Sequence, residues 1–413
     1  MARWVLSLAV LGAAVSLASE SGALERRRPQ FQTEPSYLAL PFPYSLPGIG
    51  SGIAVTGLAG NMLGTHADVY GILVTGDAKG QILGFEDIHV VPETVIVDLF
   101  YQRLTRAQVN NYQTRGMNSA KSDYSLIDLN QVDSVSGQLR LSLWERRLEL
   151  LAGRYKQKIS VIAIRGSDGT LISQLDEPYR QTTSSQYARG QLDYTDDFAD
   201  PRVGVRVGVT LRHSPPASPA EADFSVWDYD LSGYVPLGRI STILLNYFQS
   251  DASVRRKGTT DTAAVAAELG FNCAPGDTAC LDAEAALVGT FVNARSNGSS
   301  SALGGDHRLR AYPGERFNGA HTLFMAAELR WNLTEEVTPF DYYIWKDVRT
   351  NVQVALFAER GSVGETRDEV GRAWRSSYGV GLRMVSGSGF VYRADVATGD
   401  EGGAVSIIFG YPF

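Results

Sequence analysis

The chain has 413 residues, of which 44% are hydrophobic and 20% charged, and its formal net charge at pH 7 is −7. This acidic balance argues against a nucleic-acid-binding protein, which would carry a basic patch. The composition also argues against a helical membrane protein. A transmembrane β-barrel fits it, because a barrel hides its apolar half in alternation along each strand.

The chain begins with the pattern of a secretory signal peptide. An arginine precedes an apolar run from Trp4 to about Leu17, and small residues follow. The run is shorter than the ~20 residues of a membrane-spanning helix. It therefore predicts a signal peptide over residues 1–18, with a second candidate cleavage site after Ala23. Residues 19–40 are mostly polar and predict a short periplasmic or luminal tail, too short for a folded domain.

From residue 41 onward, short segments alternate between apolar and polar residues. In residues 203–212 a stripe of valine and leucine lies opposite two arginines and two glycines. This pattern is typical of a membrane strand with one face toward lipid and the other toward the lumen. At ~9–11 residues a strand, residues 41–413 hold roughly fourteen to eighteen strands. They must close into a barrel, because an open edge in lipid leaves backbone groups unpaired.

Two polar segments interrupt the strands and predict long extracellular loops. One covers residues 105–134, and the other covers residues 250–302 with a short helix at 261–269. The second loop contains Cys273 and Cys280, separated by a proline and a glycine. In an exported protein this spacing favours a disulfide that braces the loop. Two cysteines without a nearby histidine give too few ligands for a metal site.

A glycine-rich loop that carries Arg310 leads into an amphipathic strand that starts after Ala320. A later strand alternates so that Phe357 and Glu359 lie on its lumen-facing side. An arginine inside a barrel requires a carboxylate, because burying an unpaired charge is costly. We therefore expect Arg310 to pair with Glu359.

These two motifs resemble those of the BamA/TamA outer-membrane assembly superfamily, the bacterial surface antigen family. That family carries a V-R-G-Y-like tetrapeptide in its sixth extracellular loop, which here reads Leu309-Arg310-Ala311-Tyr312 without the glycine. The family's F-x-D-x-G motif here reads Phe357-Ala358-Glu359-Arg360-Gly361, with Glu for Asp. The resemblance implies that the loop folds back into the lumen and is held there by Arg310, Tyr312, Phe357, Glu359 and Gly361.

The C-terminus is similar to that of outer-membrane barrels. Tyr411 and the terminal Phe413 resemble their sorting signal, and the last two strands are predicted at residues 389–398 and 404–413. In the family the seam between the first and last strands is short and weakly paired. Pro412 lacks an amide hydrogen and would remove one ladder bond there, although a frayed terminus without a role explains it equally well.

The resemblance implies an all-β fold, a transmembrane antiparallel barrel of about sixteen strands in the bacterial cell outer membrane. No POTRA domain, which the family normally carries before its barrel, fits in these residues. The implied function is to assist insertion or translocation of proteins or lipids. Outer-membrane lipid is the implied partner, together with unfolded outer-membrane proteins or a periplasmic partner. The alternatives are a passive or gated channel for small solutes and a surface antigen without a transport role.

The sequence gives no support for enzyme chemistry. Its five histidines form no H-E-x-x-H pair, and it contains neither a G-x-S-x-G elbow nor a phosphate-binding loop. His307 and His321 flank the arginine loop, and we interpret them as solvated or lumen-facing side chains. We therefore predict that the protein is not an enzyme and has no cofactor, metal or nucleic-acid partner.

Overall fold

The computed structural model describes residues 24–31, 33, 35–112, 114–269, 276, 278–334, 340–342, 345–348, 350–386 and 391–413. In this part of the chain, sixteen strands close one antiparallel barrel, and two short strands form a separate hairpin. The predicted signal peptide lies outside the described residues. The predicted disulfide between Cys273 and Cys280 also involves side chains that are not described.

The strands follow one another in chain order around the barrel, except that β12 pairs with β15 across the hairpin β13–β14. Their bounds are β1 (Ser36–Leu46), β2 (Gly50–Gly60), β3 (Asp68–Gly76), β4 (Lys79–Val91), β5 (Val95–Tyr112), β6 (Tyr124–Leu143), β7 (Leu148–Arg165), β8 (Leu171–Thr195), β9 (Gly204–Ser214), β10 (Asp223–Leu237), β11 (Ser241–Arg256), β12 (His321–Asn332), β13 (Phe340–Tyr342), β14 (Trp345–Val348), β15 (Thr350–Gly364), β16 (Arg375–Ser386), β17 (Val391–Gly399) and β18 (Gly402–Phe409).

Side chains alternate between the two faces of the wall, as the sequence predicts. On β12, Met325 and Trp331 are exposed on the outside, whereas Phe324, Glu328 and Arg330 are buried on the inside. An apolar outer face and a mixed, largely polar inner face are the mark of a membrane barrel. The chain is therefore a transmembrane β-barrel of the bacterial outer-membrane type, which confirms the predicted fold class.

The predicted extracellular loop at residues 105–134 is mostly wrong. β5 continues to Tyr112 and pairs with β6 up to Tyr112↔Tyr124, so the connection is limited to residues 113–123. Beyond the apolar band, both faces of a strand meet water. The alternation that signals a membrane strand then disappears, although the hydrogen-bond ladder continues.

The connection between β11 and β12 contains two helices. The helix α1 (Thr262–Leu269) was predicted, and the Asp261 carboxylate caps it by accepting hydrogen bonds from two backbone amides at 2.8 and 3.1 Å. The helix α2 (Thr278–Asn297) was missed, because its sequence lacks a continuous apolar stripe. Among the described residues, neither helix is long and apolar enough to cross a membrane.

Candidate functional site: the arginine loop and the barrel seam

Arg310 lies fully buried at the centre of a charged network inside the barrel. Its Nε donates to Glu359 at 2.7 Å, and its backbone amide donates to the other oxygen of the same carboxylate at 2.8 Å. Its terminal nitrogens donate to Asp395 at 2.8 Å and to Glu328 at 3.2 Å. One loop arginine thus contacts inward-facing carboxylates on three strands, β12, β15 and β17, because the loop returns toward the wall.

Glu328 is the second centre of this network, and the sequence analysis did not assign it a role. It accepts hydrogen bonds from Arg330 at 2.8 Å and from Arg383 at 2.6 Å, in addition to Arg310. Asp395, also missed, accepts from Arg393 at 2.6 Å. Alternation placed Glu328 on the polar face of its strand, but nothing local shows which arginines surround it. Charge pairing of this density stabilises the loop only as a whole, since each group is buried.

The other residues of the two motifs pack around Arg310. Its guanidinium lies 3.4 Å from the ring centroid of Phe357, a cation–π geometry. The Tyr312 hydroxyl donates to the Ser376 carbonyl at 3.2 Å. Gly361 is required where the loop approaches its strand, because an added Cβ would lie 2.5 Å from a Leu303 methyl carbon.

Of the two histidines flanking the loop, His321 lies with its Nδ1 2.6 Å from an Asp251 oxygen. His307 lies with its Nδ1 3.1 Å from the Pro412 carbonyl. Each ring therefore contacts a structural neighbour, and neither adjoins a nucleophilic serine or cysteine among these contacts.

The last four residues leave the barrel wall and turn inward, contrary to the prediction of a strand over residues 404–413. β18 ends at Phe409, and Gly410 adopts φ +88°, a conformation that favours glycine. The Tyr411 hydroxyl donates to Asp200 at 2.7 Å and lies 3.0 Å from the Gln353 side-chain oxygen. The interior offered Tyr411 specific partners, which strand periodicity could not reveal. The sorting-signal role of Tyr411 and Phe413 stays a prediction.

The predicted N-terminal tail is bound rather than free, and β1 begins at Ser36 instead of residue 41. Residues 24–31 contact the turn between β8 and β9, at residues 196–203. Three consecutive arginines each reach an aspartate near this turn: Arg26 to Asp193 at 3.2 Å, Arg27 to Asp200 at 3.4 Å and Arg28 to Asp197 at 3.1 Å.

Asp200 joins both termini to the wall, since it contacts Arg27, Tyr411 and Gln353. Burial raises the pKa of this carboxyl. The hydrogen bond from Tyr411 and the charge of Arg27 outweigh burial and hold the pKa below its usual range. A lowered pKa means that these contacts stabilise the fold above about pH 4 and lose that effect as pH falls through the native pKa.

The seam between β1 and β18 is weakly paired. β1 pairs with β2 along its whole length, but its described register with β18 has one pair, Ser45↔Ile407. The Ser45 hydroxyl adds a hydrogen bond of 2.9 Å to the Val405 carbonyl. Elsewhere along the seam, the rings of Phe42 and Phe409 lie 4.5 Å apart. Aromatic packing therefore closes part of the seam that a ladder would otherwise hold.

Two prolines of β1 account for the missing ladder. Pro41 and Pro43 keep the register with β2 uninterrupted. The Tyr392 hydroxyl on β17 donates to the Pro43 carbonyl at 3.2 Å, so that carbonyl points toward the seam. A strand residue directs its nitrogen and its carbonyl to the same neighbour, so both prolines present positions without N–H to β18. The sequence analysis gave this role to Pro412, which instead follows the end of the strand.

Comparison with solved structures finds similar barrels. They include BamA from Haemophilus ducreyi lacking POTRA domains 1-3 (12% identity, TM-score 0.48, 92% of this chain and 70% of that chain). CdiB from Escherichia coli is similar at 12% identity and TM-score 0.50, over 92% of this chain and 67% of that chain. CdiB from Acinetobacter baumannii is similar at 11% identity and TM-score 0.48, over 92% and 60%.

No family model and no curated protein matches the sequence. At these identities the likeness to CdiB from Escherichia coli concerns the fold. It agrees with the BamA-type barrel that the loop and strand motifs of the sequence resemble.

Proposed function

We propose that this barrel assists insertion or translocation of proteins or lipids at the outer membrane, with the β1–β18 seam as the place where they pass. One observation carries the proposal: the wall is continuously paired on both sides of the seam and has a single registered pair, Ser45↔Ile407, across it. A membrane barrel cannot leave backbone groups unpaired in lipid without cost. A seam that a few contacts close is therefore the part of the wall that opens with least free energy.

The prolines support the same proposal. Pro41 and Pro43 make the weak ladder a property of the β1 sequence, because no rearrangement of β18 can supply the missing donors. The inward Arg310 network, by contrast, gives the opposite wall many charged contacts. The protein thus combines a fixed wall with one seam that is held by packing.

The test is site-specific photo-crosslinking in living cells, with a probe at Ile53 on the outer face of β2 or at Phe409 at the end of β18. We expect capture of unfolded outer-membrane proteins or lipid-transfer partners. A probe at Tyr229, which is exposed on β10 far from the seam, is the matched control and should capture none of these.

Replacing Pro41 and Pro43 by valine restores two possible donors and should lengthen the β1–β18 ladder. Capture at Ile53 should then fall by about fivefold or more, if each new hydrogen bond adds roughly 1 kcal/mol. Pro236→Val on β10 is the control. Unchanged capture in the double variant, or a conducting pore in planar bilayers without any captured client, would favour the channel alternative.

A further inference from the structure

The inner wall beside the seam is apolar, which is unusual for a barrel interior. Inward-facing side chains of β2 to β5 include Leu58, Ile72, Val74, Ile82 and Leu104, which line one cavity of about 860 Å³. A barrel lumen normally carries polar side chains because water fills it. A continuous apolar lining therefore indicates a surface that is stabilised when an apolar ligand covers it.

This cavity is continuous with the seam. Its lining includes Phe42 and Tyr44 of β1 as well as Ile407 and Phe409 of β18, so both edges of the seam border it. The rings of Phe42 and Phe409 separate the cavity from the outer face. Since they pack without a ladder, an apolar chain could pass from the bilayer into the cavity by displacing side chains alone.

The far end of the cavity carries charges of both signs. Asp68 and Glu86 are directly opposite on β3 and β4 and both line the cavity. Among the described residues, neither forms an ion pair with an arginine, lysine or histidine. Asp68 accepts a hydrogen bond from a backbone amide at 2.8 Å, and Glu86 accepts one from Tyr70 at 3.2 Å. Two like charges across a strand pair destabilise the sheet unless a cation lies between them.

An arginine stands near these carboxylates. Arg146 also lines the cavity, and its Nε donates to Glu149 at 2.9 Å. Its guanidinium lies 3.6 Å from the ring centroid of Phe198, which fixes the side chain in place. The cavity thus offers a carboxylate pair for an ammonium group, an arginine for a phosphate, and an apolar wall for an acyl chain.

We infer that this cavity binds one amine-headed phospholipid, with its acyl chain on the wall of β2 to β5 and its headgroup at Asp68, Glu86 and Arg146. The volume lies within the ~300–1,000 Å³ of protein ligand sites. The inference rests on the proposed function in one respect, namely that the seam opens to admit the lipid. It assigns the lipid, rather than an extended protein segment, to this cavity.

The experiment uses the purified full barrel in vesicles of phosphatidylethanolamine and phosphatidylglycerol, each supplied in turn with a photoactivatable acyl chain. Cross-linked residues are mapped by mass spectrometry. Phosphatidylethanolamine should label inward residues Ile72, Ile82 and Leu104, whereas both lipids should label the outward neighbours Leu73 and Leu83. Labelling of the outward residues alone, or inward labelling by phosphatidylglycerol at an equal level, would overturn the inference.

Two sets of variants test the two ends of the site. Ile72→Trp with Ile82→Trp should lower labelling of Leu104 by about tenfold by filling the cavity, whereas Leu73→Trp with Leu83→Trp on the outer face should not. Asp68→Asn with Glu86→Gln should reduce the preference for phosphatidylethanolamine to near unity. An unchanged preference would show that the carboxylates do not bind the headgroup.

A seam lock separates this inference from the proposed function. Ser45→Cys with Ile407→Cys, in a background with both native cysteines replaced by serine, should abolish inward labelling when oxidised and restore it when reduced. The assay contains no client protein. Loss of client capture in cells with inward labelling intact would contradict the proposed function alone, and the reverse result would contradict the lipid site alone.

Discussion

The two sides of the barrel interior are filled by different physics. From β12 to β17 the interior is packed by a loop whose Arg310 contacts three buried carboxylates. From β1 to β5 it is lined by apolar side chains and encloses a large cavity. Charged groups, once buried, hold one another in place because separating them leaves an uncompensated charge. An apolar wall exerts no such hold, and the side of the barrel that lacks ionic closure is the side with the weak seam.

Removing the arginine is the most severe way to break this comparison. Arg310→Ala should lower the free energy of unfolding by about 3–5 kcal/mol, because Glu328, Glu359 and Asp395 lose a buried partner. The temperature at which the folded band disappears in heat-modifiability gels measures the loss. Arg367→Ala is the control, with a side chain 73% exposed and one ion pair at 3.5 Å, and should change stability by less than about 0.5 kcal/mol. Equal effects of the two variants would contradict a special role for the loop.

The C-terminal contact should give the next largest effect. Tyr411→Phe removes the hydroxyl that donates to Asp200 at 2.7 Å and should cost about 1.5–3 kcal/mol, the usual range for a hydrogen bond to a charged group. The same gels measure it, with Tyr378→Phe on the outer face of β16 as the control. If both variants unfold at the wild-type temperature, the inward C-terminus contributes nothing to stability.

The N-terminal segment should respond more weakly. Asp197→Asn weakens the contact with Arg28 and should cost roughly 1 kcal/mol, since the arginine side chain is partly exposed. Trypsin should then cleave the folded barrel at Arg26 to Arg28 about fivefold faster. Asp133→Asn, whose partner Arg103 is 3.7 Å away and exposed, should leave cleavage unchanged. A wild-type rate in the first variant would show that the aspartate does not hold the segment.

Pro412 should have the smallest effect. It lies beyond the end of β18, so Pro412→Ala adds no donor to the seam ladder. We expect disulfide trapping between cysteines at positions 45 and 407 to proceed at the rate seen without the substitution. Faster trapping would place Pro412 at the seam after all and would weaken the role given to Pro41 and Pro43.

Much of the site was within reach of the sequence. Arg310 and Glu359 were predicted as partners because an alternating strand fixes which side chains face inward and a buried arginine requires a carboxylate. Glu328 and Asp395 were not identified as partners, although they lie on the same inward faces. Several carboxylates satisfied that requirement, and only the position of the loop selected among them.

The amino-acid sequence by itself determined the barrel, because the period of two is a local property of extended backbone and closure follows from the cost of an open edge in lipid. Only the tertiary structure decided that the chain end turns inward, that Asp200 joins the two termini, and that polar strands continue beyond the apolar band. These features depend on contacts between residues far apart in the chain, such as Asp200 and Tyr411, 211 positions apart. No local pattern encodes such contacts, since each is chosen by what the closed barrel brings within reach.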